Sequence, residues 1–144
     1  MKRLIHLVAG LWDRIRRSGW YDGEFASSDS SIIIGGCARS GTTLIRVMLD
    51  THPHIYCGPE SNLFLPIRIR TRKRIEELSW KFDVPAEEIQ TLMRNSSCLS
   101  EFIEKFFGRI GSIHGKRRWA DKSPRNVLRL DYIFNIFPEP NSYT

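Results

Sequence analysis

The sequence has no apolar run near the roughly 20 residues needed to cross a bilayer, so no membrane span is expected in it. It also has few cysteines, only Cys37, Cys57 and Cys98, at scattered spacing. An odd, scattered set argues against a disulfide scaffold and predicts a reducing, cytoplasmic compartment. Repeats and low-complexity tracts are absent from the 144 residues, and the 41% hydrophobic and 26% charged content is typical of one globular domain.

Positive charge is concentrated in the first half of the chain. Residues 1–74 carry 12 basic and 6 acidic side chains, a net charge of +6, whereas residues 75–144 carry 10 of each. The excess of positive charge lies in the half of the chain that contains the glycine-rich loop described below, and it predicts an anionic ligand there. Nucleic acid is not expected as a partner, because duplex-binding domains usually show a longer basic face and a recognisable module.

Residues 1–30 are predicted to form an amphipathic helix followed by a linker. Apolar residues recur at helical spacing within residues 1–17, and basic residues bracket them. Two interpretations stay open, namely peripheral contact with an anionic membrane surface and docking of the helix on its own domain. A secretory signal fits poorly, because the apolar core is short and is followed by Asp13 and Arg14.

From residue 31 onward, strand patterns alternate with helix patterns. Strands are predicted at residues 31–35, 54–57 and 117–122, and helices at residues 42–51, within 61–114 (one over 97–107, ended by Gly108 and Gly111) and from Ser123. The β-branched run at 31–35 is expected to be buried on both faces, as in a parallel sheet. The predicted fold is therefore α/β, a parallel sheet flanked by helices with right-handed crossovers.

Several apolar residues are predicted to lie in the core. They are Trp80, Trp119, the phenylalanines, Val127, Leu128 and Ile133. The basic run at residues 68–74 is interpreted as a solvated helix face, with guidance of an anionic ligand as the alternative.

The loop between the first strand and the first helix carries the main chemical signal. Gly36 and Gly41 let the backbone wrap closely around a ligand, and the helix start at Thr42 adds its positive dipole end. Ser40 and Thr43 add hydroxyl donors beside that of Thr42. Such a loop suits a tetrahedral oxyanion such as phosphate or sulfate.

The spacing of the two glycines is that of an NTPase phosphate loop, but the next residue differs. Thr42 follows the second glycine where an NTPase has lysine, and the cation of this loop is Arg39. Hydrolysis of ATP or GTP by the usual lysine and magnesium is therefore not expected. A P-loop nucleotide kinase or NTPase relative and a non-catalytic anion-binding module both remain as alternatives.

Two adjoining stretches resemble a known family. C-A-R-S-G-T-T-L at 37–44 and R-V-M-L-D-T-H-P at 46–53 resemble the 5′-phosphosulfate-binding loop and first helix of sulfotransferases, above all the tyrosylprotein-sulfotransferase-like branch and its bacterial relatives. The resemblance implies a P-loop-type fold, 3′-phosphoadenosine 5′-phosphosulfate (PAPS) as co-substrate and no metal. It also implies a set of donor-binding residues, namely Arg39, Ser40, Gly41, Thr42, Thr43 and Leu44.

The same resemblance implies three catalytic residues. Glu60, which follows Cys-Gly-Pro after the second strand, matches the family's proposed base for the acceptor. Lys122 matches the lysine of a Lys-x-Pro element and, with Arg39, would stabilise charge on the transferring group. Asn62 stands where the tyrosylprotein branch has arginine, which weakens the case for an acidic protein tyrosine site. The acceptor stays open among sugar, lipid, peptide and small molecule.

Residues 31–144 are thus expected to be the N-terminal portion of a sulfotransferase domain. The family binds the 3′-phosphate of the donor beyond the strand that should follow Phe137. The chain is accordingly expected to be incomplete at its C-terminal side and to bind the nucleotide weakly. The expected function is sulfuryl transfer from PAPS to a hydroxyl or amine, with the activity of this short chain left open.

Overall fold

A computed structural model describes residues 19–26, 31–37 and 39–138. The elements are α1 (Gly19–Asp22), β1 (Ile32–Ile34), α2 (Thr42–Asp50), β2 (Ile55–Cys57), α3 (Arg72–Phe82), α4 (Ala86–Arg94), α5 (Leu99–Ile113), β3 (Arg118–Lys122), a 3-10 helix (Pro124–Arg129) and α6 (Leu130–Ile136). The predicted α/β class is confirmed. The helix predicted within residues 1–17 lies outside the described residues, and in the described part no helix is long and apolar enough to cross a membrane.

The sheet has three parallel strands in the order β1–β3–β2. In register, Ile33 lies opposite Asp121, and Tyr56 lies opposite Trp119. The strand–loop–helix–strand unit is confirmed, but its two strands are separated by β3, which comes last in the sequence. Because all strands are parallel, the segments that follow them meet at one edge of the sheet. Strand β1 is an outer strand of the described sheet and is only partly buried, so the prediction that it is buried on both faces is wrong.

Successive residues of the strands point to opposite faces of the sheet. Tyr56 and Trp119 join a large core with α3, α4 and α5. Cys57 and Ala120 join a much smaller cluster, which Leu49 of α2 covers. The two faces are therefore packed by different helices.

The 3-10 helix changes which apolar residues are buried after β3. The prediction assumed one α-helix from Ser123, with 3.6 residues per turn, but Pro124–Arg129 winds at three residues per turn. Val127 and Leu128 are consequently exposed instead of buried, and Asn126 is buried. In α6 the predicted burial of Ile133 is confirmed and that of Phe134 is wrong.

Trp80 is the other misplaced core residue. It is 84% exposed, whereas Trp119 is buried as predicted. Helix α3 buries Leu78 and Phe82, and a residue two positions from each of these lies on the opposite side of the helix.

Helix α5 runs past the glycines that were predicted to end it. Gly108 faces open space, while a Cβ on Gly111 would lie 3.1 Å from the carbonyl oxygen of Lys116. Gly111 therefore permits a close approach of the chain to the helix. The turn that ends the helix falls at Gly115, whose φ of 67° is the left-handed conformation that glycine adopts without strain.

Candidate active site at the carboxyl edge of the sheet

Three connecting segments meet where the parallel strands end. The glycine loop follows β1, the segment with Glu60 follows β2, and Lys122 is the last residue of β3. In open parallel sheets, ligands bind beyond the carboxyl ends of the strands. The topology thus gathers the residues that sequence patterns singled out separately.

The glycine loop curls back on itself and is anchored to the chain beyond β3. Arg39 and Gly41 both have positive φ, 65° and 84°. Ser40 donates to the carbonyl oxygen of Cys37 through its amide, at 3.3 Å, and its hydroxyl, at 2.6 Å. The Gly36 amide donates to the carbonyl oxygen of Pro124 at 3.0 Å. These contacts fix the described part of the loop.

The loop leads directly into the N-terminus of α2. Gly41 precedes the helix, and no side chain caps the first turn. The first amides of a helix have no partner within it, so those of Thr42, Thr43 and Leu44 are free to bind a ligand. Thr42 is buried, while Thr43, Leu44 and the Arg39 side chain are exposed. This arrangement suits an oxyanion held by main-chain amides, hydroxyls and one guanidinium.

Glu60 and Lys122, 62 residues apart in sequence, form an ion pair. The Lys122 ammonium donates to Glu60 Oε1 at 2.6 Å. The Lys122 side chain is 5% exposed and that of Glu60 is 42% exposed. A buried ammonium needs such a partner, because an isolated charge is costly to desolvate. The structure therefore brings these two predicted residues together at the strand ends.

Helix α3 contacts the Glu60 segment in a way that the sequence did not predict. Arg74 is buried, and its guanidinium donates to the Ser61 carbonyl oxygen. The ammonium of Lys81 donates to the Glu60 carbonyl oxygen at 3.1 Å. The interpretation of residues 68–74 as a solvated face is therefore wrong for Arg74. The helical spacing did contain an indication of this burial. Arg74 precedes the core residue Leu78 by four positions and so lies on the apolar side of α3.

Asp121 holds the same segment from the β3 side. It is 1% exposed and accepts from the Asn126 amide group at 2.8 Å and from the Ser61 amide at 3.4 Å. Burial raises the pKa of Asp121 above its ordinary value, and the hydrogen bonds oppose that rise. The hydrogen bonds of Asp121 go to Ser61, Ser123 and Asn126, so it acts on the segment after Glu60.

Two further side chains join the ends of all three strands. The Asn126 amide group also donates to the Ile34 carbonyl oxygen at 3.2 Å, which ties β1 to β3. Ser123 Oγ accepts from the Asn62 amide at 3.1 Å, which ties the chain after β2 to β3. No local sequence pattern indicates these contacts, because the partners lie 92 and 61 residues apart.

Metal-binding side chains do not cluster in the described part of the chain. In residues 19–26, 31–37 and 39–138, no group of three or more His, Cys, Asp and Glu could hold a metal ion. His52 and His54 are exposed and precede β2, at the amino edge of the sheet, across the sheet from Glu60.

Several curated proteins are similar to this chain. Protein-tyrosine sulfotransferase A of Caenorhabditis elegans is 31% identical over 120 residues, which are 81% of this chain and 30% of that protein. Human protein-tyrosine sulfotransferase 1 is 35% identical over 109 residues, 74% of this chain and 28% of that protein. The Drosophila melanogaster protein-tyrosine sulfotransferase is 32% identical over 110 residues, 74% of this chain and 21% of that protein. The chain thus spans less than a third of the length of these relatives, and no solved structure matches it.

The relatives overturn the predicted compartment. Protein-tyrosine sulfotransferases act in the Golgi lumen, so the cytoplasmic location predicted from the cysteines is wrong. The physical reason lies in the thiols themselves. All three cysteines are free, and two of them, Cys57 and Cys98, are buried, whereas Cys37 is exposed. A buried thiol reacts little in any compartment. An odd cysteine count is therefore no guide to location here.

The family comparison agrees with the motifs and with the geometry at the strand ends. The model of the sulfotransferase family matches residues 31–141, which begin just before β1 and include every described strand. The match covers well over half of the chain and includes the glycine loop, Glu60 and Lys122. The chain belongs to the sulfotransferase family.

Proposed function

We propose that this protein catalyses in-line transfer of a sulfuryl group from PAPS to a hydroxyl or amine acceptor. The observation that best supports the proposal is the Lys122–Glu60 pair, with 2.6 Å between Nζ and Oε1, at the same sheet edge as the glycine loop. The reaction needs a cation near the transferring group and a carboxylate near the acceptor. This edge supplies both charges.

The donor would be held by a P-loop-type cradle at residues 39–44. The amides of Gly41, Thr42, Thr43 and Leu44, with the hydroxyls of the two threonines, would bind the 5′-phosphosulfate. The Ser40 hydroxyl would join them by turning away from the Cys37 carbonyl oxygen. Arg39 is exposed at this loop and would turn to the anion. A metal is not required in this scheme, because a sulfuryl group carries less charge than a terminal phosphoryl group.

Transfer would proceed in one displacement. The acceptor oxygen or nitrogen forms a bond to sulfur while the bond from sulfur to the 5′-phosphate oxygen breaks. Glu60 takes the proton of the acceptor, and adenosine 3′,5′-bisphosphate leaves with its charge stabilised by Arg39 and Lys122. Lys122 can serve here without releasing Glu60, because an ammonium has three donors and the pair occupies one.

The phenol of a protein tyrosine is the first acceptor to test. The similar proteins carry that acceptor in their names. Asn62 stands where the tyrosylprotein branch has arginine, which weakens the case for an acidic tyrosine peptide, so neutral peptides belong in the same test. We further propose that residues 31–144 form the N-terminal portion of the sulfotransferase domain.

The test is transfer of label from ³⁵S-PAPS to tyrosine peptides, sugars and amines. We expect Lys122→Met and Glu60→Gln each to lower kcat by about 10²–10³-fold, as for loss of one charge-stabilising or proton-accepting group. Lys105→Met is the matched control, because Lys105 forms an exposed pair with Glu101 and is not part of this edge. Transfer that is absent from every acceptor, or equal in all three variants, would contradict the proposal.

A further inference from the structure

Helix α3 carries three charged residues that form one connected group. Glu77 Oε2 lies 2.5 Å from the Arg74 guanidinium, and Glu77 Oε1 lies 2.8 Å from the Lys81 ammonium. The hydrogen bonds from Arg74 and Lys81 hold the pKa of Glu77 at about 2, so Glu77 is ionised at neutral pH. One carboxylate thus joins two cations that are seven residues apart on the helix.

Both cations of this group also bind the main chain next to the proposed base. Lys81 donates to the Glu60 carbonyl oxygen, and Arg74 donates to the Ser61 carbonyl oxygen. The opposite side of the segment is held by Asp121, which accepts from the Ser61 amide. The chain at Glu60 is therefore held between α3 and β3 by polar contacts.

The side chain of Glu60 is 42% exposed, and it pairs with the Lys122 ammonium. The position of its carboxylate therefore depends on where the main chain is held. Displacing a reacting group by about 1 Å can cost about 10²-fold in rate, so such a tether matters for catalysis.

We propose that Arg74, Glu77 and Lys81 are a clamp that positions Glu60 for proton removal. Arg74 and Lys81 touch the main chain at Ser61 and Glu60, and Glu77 joins these two cations. The three act as positioning residues, since none of these contacts involves the reacting atoms. The catalytic part of this inference rests on the proposed function. The structural part, that the clamp holds the Glu60 segment, stands on the contacts alone.

The same helix offers a matched control. Arg72 and Glu76 form an ion pair of the same chemistry, 2.7 Å long, with side chains that are 91% and 56% exposed. Lys81→Met and Arg72→Met each remove one cation and one pair from α3. Only Lys81→Met removes a contact with the Glu60 segment. Arg74 is left unchanged, because it is buried and its replacement would also destabilise the fold, which would obscure an effect on positioning.

Two readouts are measured on the full chain. The first is amide hydrogen exchange at Ser61 and Asn62, whose amides donate to Asp121 and Ser123. The second is kcat and KM for PAPS with the best acceptor of the transfer assay. For Lys81→Met we expect exchange at these two amides about 10-fold faster, kcat about 10–100-fold lower and KM for PAPS within about twofold of the unaltered chain. For Arg72→Met we expect no change in any of these.

Each outcome decides one part of the inference. Exchange that is equal in Lys81→Met and Arg72→Met would overturn the clamp. Faster exchange with an unchanged kcat would overturn the positioning role while leaving the clamp as a structural contact. If the unaltered chain transfers no label, the proposed function and the catalytic role fail together, and the exchange data still decide whether the clamp holds Glu60.

Discussion

The two faces of the sheet differ in how completely they are covered. On one face, Tyr56 and Trp119 pack against a core in which Phe102, Phe106 and Phe107 are fully buried. On the other face, α2 covers a small cluster through Leu49, while Leu44 and Met48 of the same helix are 64% and 63% exposed. The difference shows that helical spacing of apolar residues predicts a helix but not which of them are covered.

The face of the sheet that α2 covers, called the open face below, also lies beside the candidate active site. Helix α2 begins at the glycine loop, so its N-terminus would bind the proposed ligand, while its Leu44 and Met48 side chains face outward. The sulfotransferase relatives are more than two and a half times as long as this chain, and in the described residues nothing covers this side of α2.

The largest expected effect on stability is on the closed face, the face of the sheet that packs against α3, α4 and α5. Phe106 is fully buried and its ring lies 5.2 Å from Phe82 and 5.6 Å from Phe102, measured between centroids. Phe106→Ala should lower the free energy of unfolding by about 3–5 kcal/mol, because it removes a large buried ring and leaves a cavity. Denaturant unfolding followed by circular dichroism measures this. Trp80→Ala is the control, and since Trp80 is 84% exposed its effect should be within about 0.5 kcal/mol. Equal effects would contradict the packing of this face.

Local patterns predicted the pieces of the site better than their connections. The glycine loop, Glu60 and Lys122 each lie just after or at the end of a strand, so strand patterns and short motifs located them. Their meeting at one edge followed from a parallel sheet. The position of β3 between β1 and β2 did not follow, because strand pairing over more than 60 residues leaves no local signal.

The supporting residues were missed for related reasons. Asp121 and Asn126 contact chain segments far away in sequence, and polar residues after a strand look alike whether buried or solvated. Arg74 stood inside a basic run, whose charge suggested solvent exposure. The 3-10 turn after β3 was also not distinguishable from an α-helix by composition, and this moved Val127 and Leu128 to the surface.

An intermediate effect on stability is expected at Gly35, which follows β1 and lies against the 3-10 helix. A Cβ on Gly35 would overlap the Val127 amide and lie 3.0 Å from its Cα. Gly35→Ala should therefore lower the free energy of unfolding by about 1–3 kcal/mol, because the backbone at Val127 would have to shift. Gly108→Ala is the paired control, because Gly108 faces open space in α5 and alanine should stabilise the helix by about 0.5–1 kcal/mol. Thermal unfolding would refute this contrast if the two changes shifted Tm in the same direction.

The smallest expected effect on stability is at Met48, which is 63% exposed on α2. Met48→Gln should change the free energy of unfolding by less than about 0.5 kcal/mol, because little apolar area is lost from the interior. Its neighbour Leu49 packs on the small cluster, so Leu49→Gln should cost about 1–3 kcal/mol. Denaturant unfolding followed by circular dichroism measures both changes. If Met48→Gln destabilised the chain as much as Leu49→Gln, the outer side of α2 would be covered within this chain, and the contrast between the two faces would be lost.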